Sequence, residues 1–207
     1  MKYKDFRNFK IIRNCNKKYK RFQSYLPYLG EDFNHRCAYC NTYDRLISEN
    51  YRVDHFIPQD AVRNTDMEEL ICDYNNLMYC CPKCNITKSS QYEGDIHDGS
   101  YNNSLFYNPV EIDYNKIFYR NEYGGITSED KKGKEMIISL KLFSPIYNFS
   151  FLIEEITNVL KKLDEKIEKT TESNEKSYYS EAYRRLNSFL LNIRDLLSCN
   201  YYNNSIK

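Results

Sequence analysis

At 207 residues with 41% hydrophobic side chains, the chain is long enough for one medium domain or two small ones with a real core, which excludes a peptide or an extended disordered tail. Thirty Lys and Arg against 29 Asp and Glu leave a formal charge of +1, so bulk charge does not mark a nucleic-acid binder, and any such case rests on where the charges lie. No run approaches the roughly 18 apolar residues of a membrane span, and MKYKDFRNFKII is too interrupted by charge for a secretory leader, so a cytoplasmic protein with no membrane contact is expected.

Residues 1–30 read as a basic and aromatic segment. Within the first 21 residues, Lys2, Lys4, Arg7, Lys10, Arg13, Lys17, Lys18, Lys20 and Arg21 face a single acid, Asp5, a local net of +8 that leaves about −7 for the remainder. Tyr3, Phe6, Phe9, Tyr19, Phe22, Tyr25 and Tyr28 are interleaved with them. That pattern suits a surface for phosphates and rings, or equally a solvated arm with a few rings tucked into the core.

Residues 31–92 are the chemical segment. The chain has eight cysteines, and in a reducing compartment clustered cysteines bind metal or do chemistry rather than pair. Cys37-Ala-Tyr-Cys40 and Cys81-Pro-Lys-Cys84 are two CxxC pairs able to complete a four-sulfur structural zinc site. Cys80 is an alternative to Cys81, but only Cys81 has the CxxC spacing to Cys84. Cys15, Cys72 and Cys199 have no partner at metal spacing and are expected as small buried residues. His35 is not needed as a ligand beside four thiolates, and His97 reads as a surface residue. Short β-like runs lie around Tyr51 to Ile57 and Leu77 to Tyr79. Pro82 suits the first turn of a helix.

Residues 93–135 are loop-rich, with Asp98-Gly99 and Gly124-Gly125 as turn signals and a hairpin through Lys116 to Ile126. Residues 136–207 turn helical. Met136, Ile137, Leu140 and Leu142 form a short face, and Leu152, Ile156, Val159, Leu160, Leu163 and Ile167 recur at three- and four-residue steps. After the polar spacer Lys169 to Lys176, a second stripe runs from Tyr179 through Tyr183, Leu186, Phe189, Leu190 and Ile193 to Leu197. The two should pack as an antiparallel hairpin.

Between the CxxC pairs stand Val53-Asp54-His55-Phe56-Ile57-Pro58 and Asn75-Asn76-Leu77-Met78, and the second pair continues into Asn85-Ile86-Thr87-Lys88. In this order the elements resemble the HNH endonucleases over roughly residues 37 to 90. The resemblance implies an α+β chain with a ββα-metal HNH core and a four-Cys zinc site (Cys37, Cys40, Cys81, Cys84), flanked by the basic N-terminal segment and the C-terminal helical hairpin. It also implies His55 as general base, Asp54 and Asn85 as ligands of one catalytic Mg²⁺ or similar cation, and Asn76 as the residue that pins the strands and orients His55. Lys88 then contacts a substrate phosphate or pairs locally. Asn stands at position 85 where the family name has its last His, an HNN variant whose amide oxygen favours Mg²⁺.

The stretch Leu105-Phe106-Tyr107-Asn108-Pro109, with Ile112-Asp113 and Ile137-Ile138-Ser139-Leu140-Lys141-Leu142, is more loosely similar to the Septu PtuB-type HNH subunits of ATPase-associated bacterial anti-phage defence systems. That likeness implies a nuclease effector with an ATPase partner, PtuA-like, acting on nucleic acid, DNA in preference to RNA. The chain has no GxxxxGK[ST] motif of its own. A stand-alone restriction or homing nuclease and a non-cutting zinc-containing nucleic-acid-binding adaptor are the alternatives.

Overall fold

The computed structural model describes residues 4–46, 50–98 and 101–204. Lys2, Tyr3 and Gly99 lie outside the described residues, as do the side chains of Leu197 and Cys199. Contacts divide the chain into two units, Met1–Tyr147 and Asn148–Lys207.

In the first unit, β1 (Lys4–Asp5) opens the chain and α1 (Leu26–Asp32) carries Pro27 in its first turn, where a missing N–H costs nothing. Next come β2 (Arg52–His55), the single turn α2 (Gln59–Val62), β3 (Leu77–Cys80) and α3 (Pro82–Lys88). β2 and β3 pair antiparallel, with Arg52 opposite Cys80 and His55 opposite Leu77. The register sets Asp54 beside Met78. All four β3 residues are buried, as a short apolar strand packed on both faces should be.

Two chain reversals fix the ends of this core. The residue after Cys40 is Asn41, held at φ 61°, a left-handed conformation that Asn tolerates. Its N–H donates to the Cys37 carbonyl at 3.0 Å and its side-chain amide to the Phe6 carbonyl at 2.8 Å. α3 ends at Lys88, where Ser89 turns to φ 48°, ψ −138°, a region a non-glycine residue occupies only when its surroundings force it.

β4 (Tyr119–Arg120) and β5 (Ile126–Thr127) form the hairpin expected between Lys116 and Ile126, its turn using Gly124 at φ 74°. β1 adds to its edge, so the N-terminal segment is part of this body. Phe6 is 2% exposed and packs its ring 5.8 Å from Tyr114 and 5.5 Å from Phe118. Arg7 is buried beside them, its guanidinium 4.7 Å over the Tyr114 ring. α4 (Lys131–Ser139) starts at Asp130, whose carboxylate accepts from Gly133 N–H at 2.7 Å, an N-cap.

α5 (Pro145–Lys169) runs from the end of the first unit into the second, and α6 (Ser173–Asn204) follows after three residues. Within the second unit, Lys166 Nζ lies 4.2 Å from the Tyr179 ring centroid. Thirteen residues of continuous helix would separate them by about 20 Å, so the chain reverses there. Leu160, Leu190 and Ile193 of the stripes read from the sequence are buried, as is Ile153, which is not among them, whereas Val159 and Phe189 of those stripes are 45% and 53% exposed. No helix among the described residues is long and apolar enough to cross a membrane.

Fully burying a Phe side chain stabilises by about 1.5–3 kcal/mol, and removing it adds the cost of the cavity. Phe6→Ala should therefore destabilise the zinc-loaded chain by about 3–5 kcal/mol, read as a lower urea midpoint at an unchanged slope, whereas a free N-terminal arm would give no shift.

Candidate functional site

The two CxxC loops meet in the buried interior. The Sγ atoms of Cys37, Cys40, Cys81 and Cys84 all lie within 4.8 Å of one another, and all four residues are buried. Cys40 and Cys81 are 3.8 Å apart at sulfur. A tetrahedral Zn²⁺ with bonds of about 2.3 Å places its sulfurs about 3.8 Å apart, so the cluster fits zinc. Cys80 Sγ is 4.0 Å from Cys37 Sγ but donates to the Cys81 carbonyl at 3.4 Å and stands outside the cluster of four. His35 turns away to Asp44, 3.0 Å from Nδ1. Cys15 and Cys72 are half-buried rather than buried.

Arginines from distant parts of the chain close over the first loop. Arg7 Nη2 donates to the Ala38 carbonyl at 2.8 Å and Arg120 Nη2 to the Cys40 carbonyl at 3.0 Å. Burial pulls the Arg7 guanidinium down to about 10, which still leaves it cationic at neutral pH. Ala38 N–H in turn donates to the Tyr79 carbonyl at 2.8 Å, seating the loop on β3.

A separate open cleft of about 570 Å³ is lined among others by Phe22, Asp54, His55, Gln59, Arg63, Asn85 and Ser89. Three of the residues singled out in the sequence, Asp54, His55 and Asn85, share its wall. His55 Nε2 is 2.9 Å from the Ile71 carbonyl. A carbonyl only accepts, so the proton sits on Nε2 and Nδ1 keeps its lone pair, with the Gln59 amide nitrogen 3.4 Å away. Burial lowers the His55 pKa, so the ring is neutral at pH 7.

Asp54 is held from two sides. Tyr39, the third residue of the first CxxC, donates its hydroxyl to Oδ2 at 2.6 Å, and Lys88 Nζ is 3.3 Å from the same oxygen. Burial and the neighbouring Asp54 charge push the Tyr39 phenol well above its ordinary value, so it remains a donor. Burial also raises the Asp54 carboxyl, against the pull of Lys88 and Tyr39. A carboxylate offers about four lone-pair sites, so Asp54 retains capacity for a ligand, and with the Asn85 amide on the same wall the oxygen donors suit a hard divalent cation.

Of the two roles open to Lys88, the geometry holds the local one. The side chain is 0% exposed, donates to the His55 carbonyl at 2.6 Å and pairs with Asp54, so as placed it does not reach a phosphate. Asn76, also 0% exposed, accepts from Ile57 N–H at 2.8 Å and donates to the carbonyls of Ile57 and Leu70, each at 3.0 Å. It thereby ties the loop after β2 to the entry of β3.

Sequence reading missed Tyr39, Gln59 and Phe22, whose ring meets the His55 ring edge-on at 4.6 Å. The one available signal was the position of Tyr39 between the two cysteines of a CxxC pair.

Residues 37–91 match the family model described as HNH endonuclease. No curated protein and no solved structure matches the chain. The β2–β3 pair, α3 and the four-cysteine cluster fit an HNH ββα-metal fold.

Cys81→Ser should lose zinc and the folded state with it, while Cys80→Ser keeps one zinc per chain by native mass spectrometry and a folded circular-dichroism spectrum. Equal zinc loss in both variants would move the fourth ligand to Cys80. Lys88→Met leaves the Asp54 carboxylate buried without its cation, so unfolding of this variant should be easier by about 3–5 kcal/mol. A shift under about 1 kcal/mol, the scale of an exposed pair, would contradict the buried ion pair.

Proposed function

We propose that this chain is a metal-dependent endonuclease of the HNH type that hydrolyses phosphodiester bonds, DNA in preference to RNA. The observation that carries the reading is the His55 ring. It is fixed through Nε2 on a backbone carbonyl, with Nδ1 unprotonated in the cleft that Asp54 and Asn85 also line. Hydrolysis of a phosphodiester needs a base to take a proton from water and a cation to neutralise charge on phosphate and leaving oxygen. His55 Nδ1 takes that proton, and the Ile71 carbonyl holds the imidazolium that results. Asp54 and Asn85 would hold Mg²⁺ or a similar divalent cation, which supplies the charge neutralisation when bound. Tyr39 and Lys88 fix the Asp54 carboxylate, and Asn76 holds the loop that follows His55.

In the wider setting, the chain serves as the effector of an ATPase-partnered anti-phage defence system of the Septu PtuB type and works in the cytoplasm. The likeness of residues 105–142 to such subunits and the lack of a phosphate-binding GxxxxGK[ST] loop support this reading.

The test is incubation of the purified chain with supercoiled plasmid and Mg²⁺, alone and with its ATPase partner. Nicked or linear product that is lost in His55→Ala, whose zinc content and fold are kept, is the expected result. Cutting that survives in His55→Ala, or no cutting of plasmid or RNA by the zinc-loaded chain in either state, would overturn the nuclease and leave the adaptor reading.

A further inference from the structure

The basic N-terminal segment splits into two parts in the folded chain. Arg7 and Arg13 are drawn inward, Arg7 onto the zinc loop and Arg13 onto the Tyr74 ring at 3.9 Å with Asp32 at 3.5 Å. Lys17, Lys18, Lys20 and Arg21 remain in solvent. Among the described residues Lys18, Lys20 and Arg21 have no carboxylate partner, and Lys17 lies over the Tyr28 ring at 5.7 Å.

These cations are not on a loose arm. Tyr19 N–H donates to the Tyr25 hydroxyl at 3.0 Å, and the two rings meet edge-on at 5.0 Å. The Tyr19 and Tyr28 hydroxyls are 3.0 Å apart. Cys72 Sγ donates to the Lys20 carbonyl at 3.3 Å, and the neighbouring residue, Ile71, gives its carbonyl to His55 Nε2. Two adjacent residues, one through its carbonyl and one through its thiol, thus hold the histidine and the basic tract. The tract runs directly into Phe22, which packs on His55 and lines the cleft. Elsewhere on the cleft wall the exposed Arg63 is offset by Asp60 at 3.9 Å.

We propose that residues 17–21 are a sugar-phosphate backbone tract, fixed by Phe22 and Cys72 at the mouth of the His55 cleft, that binds one nucleic-acid strand without reading its sequence. Five residues reach at most about 17 Å, the rise of about five steps along one strand of B-DNA. The chemistry is charge and backbone only, since lysines and an arginine without a base-facing groove element recognise phosphates and not base edges. The proposal rests on the nuclease reading for where the reaction occurs, and not for the binding itself.

The experiment uses the His55→Ala chain without Mg²⁺, so that nothing is cut, and measures anisotropy of two fluorescein-labelled 30-mers, a mixed-sequence DNA duplex and a single-stranded RNA, at several salt concentrations. Lys18→Ala, Lys20→Ala and Arg21→Ala together should reduce the slope of log affinity against log salt by about 2 to 3 on whichever 30-mer binds, because each phosphate contact contributes about 0.7 to 0.9. Lys161→Ala, Lys162→Ala and Lys169→Ala together remove equal charge from the second unit and should leave the slope as it was. Equal slopes for the tract variant and its parent would overturn the proposal, as would no binding of either 30-mer by the parent. If the slope falls while the unmutated chain never cuts, the tract stands and the nuclease reading falls. The reverse pair of results leaves the nuclease standing without the tract.

Discussion

Four sulfur atoms inside 4.8 Å of one another, all buried, set the terms for the first unit. Thiolates packed that closely repel, and only a cation at their centre makes the arrangement favourable. With Zn²⁺ the cluster still carries −2, shut away from water. Arg7 and Arg120, both buried and both donating to carbonyls of the Cys37–Cys40 loop, place positive charge beside it. They come from opposite ends of the unit, just after β1 and within β4, which is why the N-terminal strand and the 119–127 hairpin fold against the zinc loops.

The same loop reaches the cleft through a single side chain. Tyr39 stands between two cysteines of the sulfur cluster and touches Asp54 of β2, Asp54 pairs with Lys88, and Lys88 donates to the His55 carbonyl. These contacts run from the sulfur cluster to the proposed base without a solvent-exposed link. In a low-dielectric interior such a network either satisfies every member or is costly, so its geometry is narrowly defined. The four-sulfur cluster and the cleft are thus two ends of one polar network.

Much of this was legible because local spacing carried it. The CxxC pairs, Pro82 at a helix start and the apolar runs around Val53 and Leu77 predicted the two strands, the helix and the sulfur cluster in their places. Asp54, His55 and Asn85 line one cleft. What escaped depends on contacts distant in sequence. Nothing local distinguishes Arg7, which caps the zinc loop, from Lys18, which lies in solvent, because the difference is made by Ala38 and Tyr114. For Lys88 the sequence leaves a phosphate contact and a local pair equally open, and the choice is made by Asp54 and the His55 carbonyl, more than thirty positions before it. Phe22 becomes part of the cleft only through residues that follow it by more than thirty positions.

The separation of the two knuckles also imposes an order on biosynthesis. Cys40 and Cys81 are 41 positions apart in the chain, so at about 5–20 residues per second the ribosome releases the first two thiolates roughly 2–8 s before the second pair. For that interval the emerging polypeptide carries half a coordination sphere, able to hold a soft metal in the wrong company or to meet an oxidant. Arg120, which donates to the Cys40 carbonyl, arrives a further 36 residues after Cys84. Quality of the nascent product therefore depends on how well the cell buffers free zinc and thiol redox state during translation, before any of the tertiary contacts that later enclose the metal exist.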